Sequence, residues 1–164
     1  MTDGEGPVLD PQWLNDRSEF QQSFVHGLKN PIGLQIQYEL RENVVWGMWT
    51  PSEKHVGFPG VVHGGLIAAV LDDVMGRYAA LLHIWAVTAR LDVQYRKPLL
   101  VSTPVYIVGQ AERIDRRRYH ASSYIEAQDG TRHAQAAGVY LTLSKDLMKR
   151  TVEAWPGFAE YLPE

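Results

Sequence analysis

The sequence predicts an α+β domain in which one long helix lies against a sheet of antiparallel hairpins. Three observations predict it. Residues 63–82 form the longest stretch with apolar residues at helical spacing. Four strand-like runs follow, over 86–97, 103–115, 118–128 and 132–143, and two precede it, over 34–42 and 44–49. Turn residues separate the runs, so a single helix wrapped by six antiparallel strands is an economical arrangement.

Taken in order, residues 1–10 are a polar lead, and 11–25 have helix-compatible spacing at Trp13, Leu14, Phe20 and Phe24. Arg41-Glu42-Asn43 makes a tight connection between the first two strands. Gly57-Phe58-Pro59-Gly60 must be a loop. Pro98 and Pro104 bracket the first break after the helix, while Asp115-Arg116-Arg117 and Asp129-Gly130 supply hairpin turns. The third strand alternates, with Val87, Ala89, Leu91, Val93 and Tyr95 on one face and Thr88, Arg90, Asp92, Gln94 and Arg96 on the other. Residues 144–164 begin as a short helix and end in an aromatic tail, Trp155, Phe158 and Tyr161. The organisation expected is an extension over 1–25, one domain over 26–145 and a tail over 146–164.

With 164 residues there is room for one domain of ordinary size. Hydrophobic residues make up 45% and charged residues 21%, the balance of a folded protein. A net charge of −3 argues against a general nucleic-acid binder. The absence of cysteine removes thiol chemistry, disulfides and cysteine-held metal. No apolar run approaches the roughly 18 residues of a membrane span, and the acidic start does not read as a signal peptide. A cytoplasmic location is the expectation.

The long helix is unusual on its polar side. Leu66, Ile67, Val70, Leu71, Val74, Met75 and Tyr78 share one face, but the opposite face is Ala68, Ala69, Asp72, Asp73, Gly76, Ala79 and Ala80. Small residues there let other backbone approach, so the helix is enclosed on nearly all sides. Asp72 and Asp73 in that setting are either hydrogen-bonded structural groups or a poised base or nucleophile. The helix start favours chemistry. His63-Gly64-Gly65 puts two poor helix formers where unpaired N–H groups and the positive dipole end lie. Glycine lets a ligand oxygen come close, which is how an oxyanion hole is built. The plainer alternative is that the pair only eases a sharp turn into the helix.

Together these features are more specific. Residues 57–72, from Gly57-Phe58-Pro59-Gly60 through His63-Gly64-Gly65 to Asp72, resemble the signature of the hotdog-fold thioesterases, especially the PaaI-like branch of the phenylacetate pathway. In that family a Gly-x-x-His-Gly-Gly segment enters the central helix and an acidic residue follows nine positions after the histidine, which selects Asp72 over Asp73. Thr88-Ala89-Arg90-Leu91-Asp92-Val93-Gln94-Tyr95-Arg96-Lys97-Pro98 resembles the family's third strand, where a Ser or Thr ten residues before the proline lies near the reacting centre. Asn30-Pro31-Ile32-Gly33-Leu34 resembles the approach to its first strand. Two departures stand out. Gly57 replaces an amide carried by some relatives, and Ser23 and His26 stand where relatives often have a Cys-x-x-Cys, so no metal or redox chemistry is inferred there.

The resemblance implies a hotdog fold and an acyl-CoA thioesterase without metal or resident cofactor, coenzyme A being part of the substrate. Gly65 N–H, with Gly64, would polarise the thioester carbonyl. Asp72 would activate water or attack directly, Thr88 would orient the water, and His63 would fix the loop or the substrate. Gly65 and Asp72 are about 10.5 Å apart along one helix, too far to serve one bond. A homodimer with shared sites meets that difficulty and is what the family implies, with a homotetramer left open. Basic partners for the CoA phosphates are sought in Arg90, Arg96, Lys97, Arg116 and Arg117, and acyl-pocket walls in Phe58, Pro59, Tyr78 and Trp85. The rival readings are a non-catalytic acyl-CoA-binding protein and an acyl-CoA hydratase or dehydratase. The latter wants an Asp-x-Asn-Pro-x-His segment, and Leu28 and Gly33 stand where its Asp and His are needed. A serine triad, metal hydrolysis and a P-loop find no matching motif.

Overall fold

The computed structural model describes residues 20–115 and 117–161. Strands β1 (Tyr38–Arg41) and β2 (Val44–Trp49) form a hairpin, followed by a small ribbon of β3 (Val56–Phe58) and β4 (Val61–Val62). Helix α1 (Gly64–Leu81) comes next, then β5 (Ala86–Tyr95), β6 (Val105–Ile114), β7 (Arg118–Ala127) and β8 (Arg132–Thr142). Helix α2 (Lys145–Ala154) and a 3₁₀ segment, Pro156–Tyr161, end the described chain. The large sheet is antiparallel in the order β1-β2-β6-β7-β8-β5, with α1 packed against it. Among the described residues no helix is long and apolar enough to cross a membrane.

In the large sheet, β7 and β8 bury alternate residues against α1 because side chains repeat every two residues. In β7, Tyr119, Ala121, Ser123 and Ile125 are buried while Arg118, His120, Ser122 and Tyr124 face away. They meet Val70, Leu71, Val74 and Met75, all without solvent exposure. Burying side chains of this size stabilises by roughly 1.5–3 kcal/mol each. The helix expected to be enclosed on nearly all sides is buried on its sheet-facing side, while Ala68, Ala69, Asp72, Asp73 and Gly76 are only partly covered and a Cβ at Gly76 would meet nothing within 4 Å. At Gly109 of β6 an added Cβ would lie 2.9 Å from Val74 O, so the absence of a side chain there sets how closely sheet and helix meet. Hydroxyls from β7 also pin the helix: Ser123 Oγ donates to Leu71 O (2.9 Å) and Tyr119 OH to Met75 O (3.1 Å).

Several expectations need correction. The first strand starts at Tyr38 rather than Leu34, because Leu34 and Ile36 N–H donate to Phe24 O and Val25 O and Gln35 turns the backbone to φ 54°. Of the loop expected over 57–60, Gly57 and Phe58 belong to β3 and only Pro59-Gly60 form the turn of the β3–β4 ribbon. Of the helix expected over 11–25, residues 11–19 lie outside the described residues, and 20–25 form turns. The Arg41-to-Val44 connection is tight as expected, with Glu42 and Asn43 both at positive φ (46° and 66°).

The regular alternation read in β5 also fails at one point. The ladder with β8 slips between Thr88 and Arg90: Thr88 opposes Tyr140 and Arg90 opposes Val139, leaving Ala89 unpaired. This bulge changes the parity of the strand. Thr88 therefore faces α1 together with Leu91, Val93 and Tyr95, instead of sharing the outer face with Arg90 and Asp92.

Candidate active site

Helix α1 begins on His63, whose backbone is extended (φ −60°, ψ 127°) and whose ring Nδ1 accepts from Gly65 N–H at 2.9 Å. His63 is thus an N-cap, which satisfies one of the helix's unpaired donors. Leu66 and Ile67 N–H donate to His63 O (3.0 and 3.3 Å). Gly64 N–H finds no acceptor among the described residues. The donor assigned to Gly65 in the sequence is engaged, and Gly64 N–H is the one left available. Gly57 lies against this turn, since a Cβ there would come within 2.6 Å of His63 Cα. That contact accounts for a glycine where some relatives carry an amide.

Gly64 borders a cleft of about 290 Å³ that Ile67, Tyr95, Arg96 and Lys97 also line. Tyr95 OH donates to Gly64 O at 2.8 Å, which ties the end of β5 to the start of α1. Two turns further along the helix, the half-buried Asp72 receives a different pair of hydroxyls. Thr88 Oγ1 donates to Asp72 Oδ1 (2.9 Å) and more weakly to Oδ2 (3.2 Å). Tyr140 OH donates to Oδ1 at 2.8 Å and reaches Asp72 O at 3.2 Å. Burial first, and then the charge of Asp72, push the Tyr140 hydroxyl well above its ordinary value of 10.0, so it stays a donor.

Asp72, Thr88, His63, Gly64 and Gly65 thus fall on two patches that flank one strand, the free edge β5. Gly64 and Asp72 are eight residues apart on α1, roughly 12 Å of rise. The other expected residues scatter. Tyr78 lies on the buried face of α1, in the core, and burial raises its hydroxyl pKa. Trp85 is buried against Phe20 and Phe158, stacked on the first at 5.8 Å and edge-on to the second at 4.9 Å. Neither lines the cleft. Phe58 is 71% exposed and Pro59 is exposed beside it, on the ribbon turn. Arg90 faces outward, 3.6 Å from Asp92. Arg96 donates to Gln94 Oε1 at 2.7 Å as well as bordering the cleft.

Arg117 is exposed at the β6–β7 turn, and the register Arg118–Leu141–Val87 puts that turn by the start of β5. Arg96 and Lys97 follow its end, about 30 Å away at strand rise. Within one chain these cations cannot share a ligand. Arg116 lies outside the described residues.

Tyr140 and Tyr95 were missed in the sequence. The signal for Tyr140 was present in β8, where Ala134, Ala136 and Gly138 precede it on the buried face. Such a small-residue track brings the strand close beneath α1, so the large residue ending it must reach a helix group. Among the described residues no three His, Cys, Asp or Glu side chains are grouped to hold a metal ion.

Residues 59–133 match the thioesterase superfamily. The chain is 30% identical over 128 residues to "Acyl-coenzyme A thioesterase THEM4" of Rattus norvegicus, covering 76% of this chain and 55% of that protein. It therefore spans little more than half the length of that relative. The crystal structure of a thioesterase superfamily protein superposes with a TM-score of 0.70 at 28% identity, covering 74% of this chain and 60% of the other. A hypothetical thioesterase from Streptococcus pneumoniae, solved with coenzyme A, shares the fold at TM-score 0.63 and 18% identity, covering 66% of this chain and 86% of its own. The long helix, its antiparallel sheet and the matched segment 59–133 all follow one pattern, that of the hotdog-fold thioesterases.

Proposed function

We propose that the chain is an acyl-CoA thioesterase of the PaaI-like branch, acting as at least a homodimer. The observation that carries this is Asp72, held by Thr88 and Tyr140 at one end of the edge strand β5, while Gly64 N–H and its cleft lie at the other end. Tyr95 marks the Gly64 end and Thr88 the Asp72 end. If β5 pairs antiparallel with β5 of a second copy about a twofold axis near residues 91 and 92, Thr88 of one chain lies across from Tyr95 of the other. That pairing brings Asp72 toward the Gly64 N–H of the second copy, with its Arg96 and Lys97 at hand for phosphate. A symmetric edge-to-edge contact of this kind produces two equal sites.

In this reading Gly64 N–H polarises the thioester carbonyl, joined by Gly65 N–H once the His63 ring turns away. Asp72 is the base for water or the nucleophile, and Thr88 orients the water. The products are the free acid and coenzyme A, and no resident cofactor is used. The THEM4 relative's name and the coenzyme A in the pneumococcal structure support the substrate class. A panel of short, long and aromatic acyl-CoAs, read by release of the CoA thiol, tests the proposal. Turnover on at least one substrate, reduced about 10²–10⁴-fold by Asp72→Asn, is expected. Binding without turnover across the panel would leave an acyl-CoA-binding protein instead.

A further inference from the structure

The geometry points to Tyr140 as a positioning residue that fixes the Asp72 carboxylate and leaves Oδ2 as its reactive oxygen. The inference rests on Asp72 being the base or nucleophile. Oδ1 takes the two shortest hydrogen bonds at the site, from Tyr140 OH (2.8 Å) and Thr88 Oγ1 (2.9 Å). Among the described residues Oδ2 has only the longer contact to Thr88 (3.2 Å), so its lone pairs are the ones open to water or substrate. Tyr140 and Thr88 are themselves paired across β8 and β5, at the step where the bulge begins. The fold thus places two hydroxyls side by side under one carboxylate oxygen. Thr88 is exposed, whereas Tyr140 is 3% exposed, so Tyr140 is the donor that water cannot replace.

The Tyr140 ring cannot drift. It packs against the ring of Tyr119, its partner in the β7–β8 ladder, at 5.5 Å between ring centroids. Its hydroxyl also touches Asp72 O (3.2 Å), so one atom references the side chain to its own backbone. A carboxylate with one oxygen bound twice cannot spin between equivalent positions. Fixing it keeps the reacting oxygen on line, a contribution that falls on kcat more than on KM.

The test is the pH dependence of kcat/KM in Tyr140→Phe, with Tyr119→Phe as control for the loss of a buried hydroxyl that does not reach Asp72. A carboxylate deprived of a donor holds its proton to higher pH, so the acid limb should move upward by about one pH unit. The kcat should fall roughly tenfold with KM within about twofold. Tyr119→Phe keeps the ring that packs on Tyr140 and loses only the bond to Met75 O, so it should lower the unfolding midpoint similarly and leave the limb in place. In the Asp72→Asn background Tyr140→Phe should cost no further rate, since the group it positions is gone. 3-Fluorotyrosine placed at position 140 keeps the fold while making a stronger donor, and should shift the limb downward.

A limb unmoved by both replacements, or an equal loss with and without Asp72, would overturn the role of Tyr140 and leave Asp72 standing. Full activity of Asp72→Asn would remove both.

Discussion

His26 Nδ1 lies 2.9 Å from Asp73 Oδ1, and the pair is withdrawn from solvent, with side-chain exposures of 4% and 14%. Ser23 Oγ is 3.0 Å from the same ring nitrogen, and Asp73 adds to the burial that raises the Tyr38 hydroxyl. Two adjacent aspartates on one helix are therefore turned about 100° apart into different company. Asp73 is a structural group packed under the segment before β1, and Asp72 faces the edge strand.

Asp73→Asn should cost about 1–3 kcal/mol of stability, because it takes a carboxylate acceptor away from the buried His26 ring. Its effect on kcat should stay within a few-fold. Asp72→Asn should show the reverse pattern, with a nearly unchanged urea midpoint and a large loss of rate. Denaturation curves and initial rates on the two variants separate the roles, and equal rate losses would assign them wrongly.

The proposed sharing of the site between two chains is tested by complementation. Gly64 is the first helical residue, and His63 before it is already extended, so Gly64→Pro removes the available N–H with little disturbance of the helix. Losing one such donor typically costs about 10²–10³ in kcat. Mixing Gly64→Pro with Asp72→Asn chains by co-refolding gives heterodimers in which one site carries both lesions and the other neither. Random pairing should restore about a quarter of wild-type activity. Activity that stays flat after proven subunit exchange would place a complete site in each chain.

Gly109→Ala should destabilise by roughly 1–3 kcal/mol, since the new methyl group meets backbone, Val74 O at 2.9 Å and Val74 C at 3.0 Å. Urea unfolding measures it. Gly76→Ala is the contrast, because a Cβ there meets nothing within 4 Å and alanine favours helix.

His55 carries a pH effect. Burial, and then the charge of Lys54, hold its imidazole below the ordinary 6.5. Its neutral Nδ1 accepts from Ser52 N–H (2.9 Å), and its carbonyl accepts from His63 N–H (2.8 Å) at the helix approach. The unfolded chain takes up the proton first as pH falls. Stability from this group is therefore full above 6.5 and is lost as pH drops through the depressed folded value. The fall in urea midpoint between about pH 7.5 and about pH 5.5 should be smaller in His55→Gln than in the wild type. An identical fall would assign the effect to other histidines.

The long helix and the four strands after it were legible because their apolar patterns run for ten residues or more, and the structure moves their ends by only a few residues. Thr88 was legible by resemblance, yet its direction was not. The bulge that turns it toward Asp72 is a property of the ladder with β8, and strand periodicity holds no trace of it. His26 with Asp73 was missed because the partners are 47 residues apart and joined only by tertiary packing. The aromatic residues suggested as pocket walls failed for the opposite reason. An apolar ring reads alike in a core and in a cleft, and Tyr78 and Trp85 went to the interior.

Strand β5 runs for ten residues at the sheet margin without a proline or a lysine, and Val87 and Tyr95 on it are more than half exposed. Natural edges usually carry such residues to discourage chance association. In the proposed dimer this margin would be covered by the same backbone pairing that completes the shared site. If the proposed pairing holds, an isolated subunit would keep its margin open to any extended peptide, and weakening the dimer would have a cost beyond lost turnover. Variants that disturb β5 should drop out of solution as aggregates before they can be collected as inactive monomers.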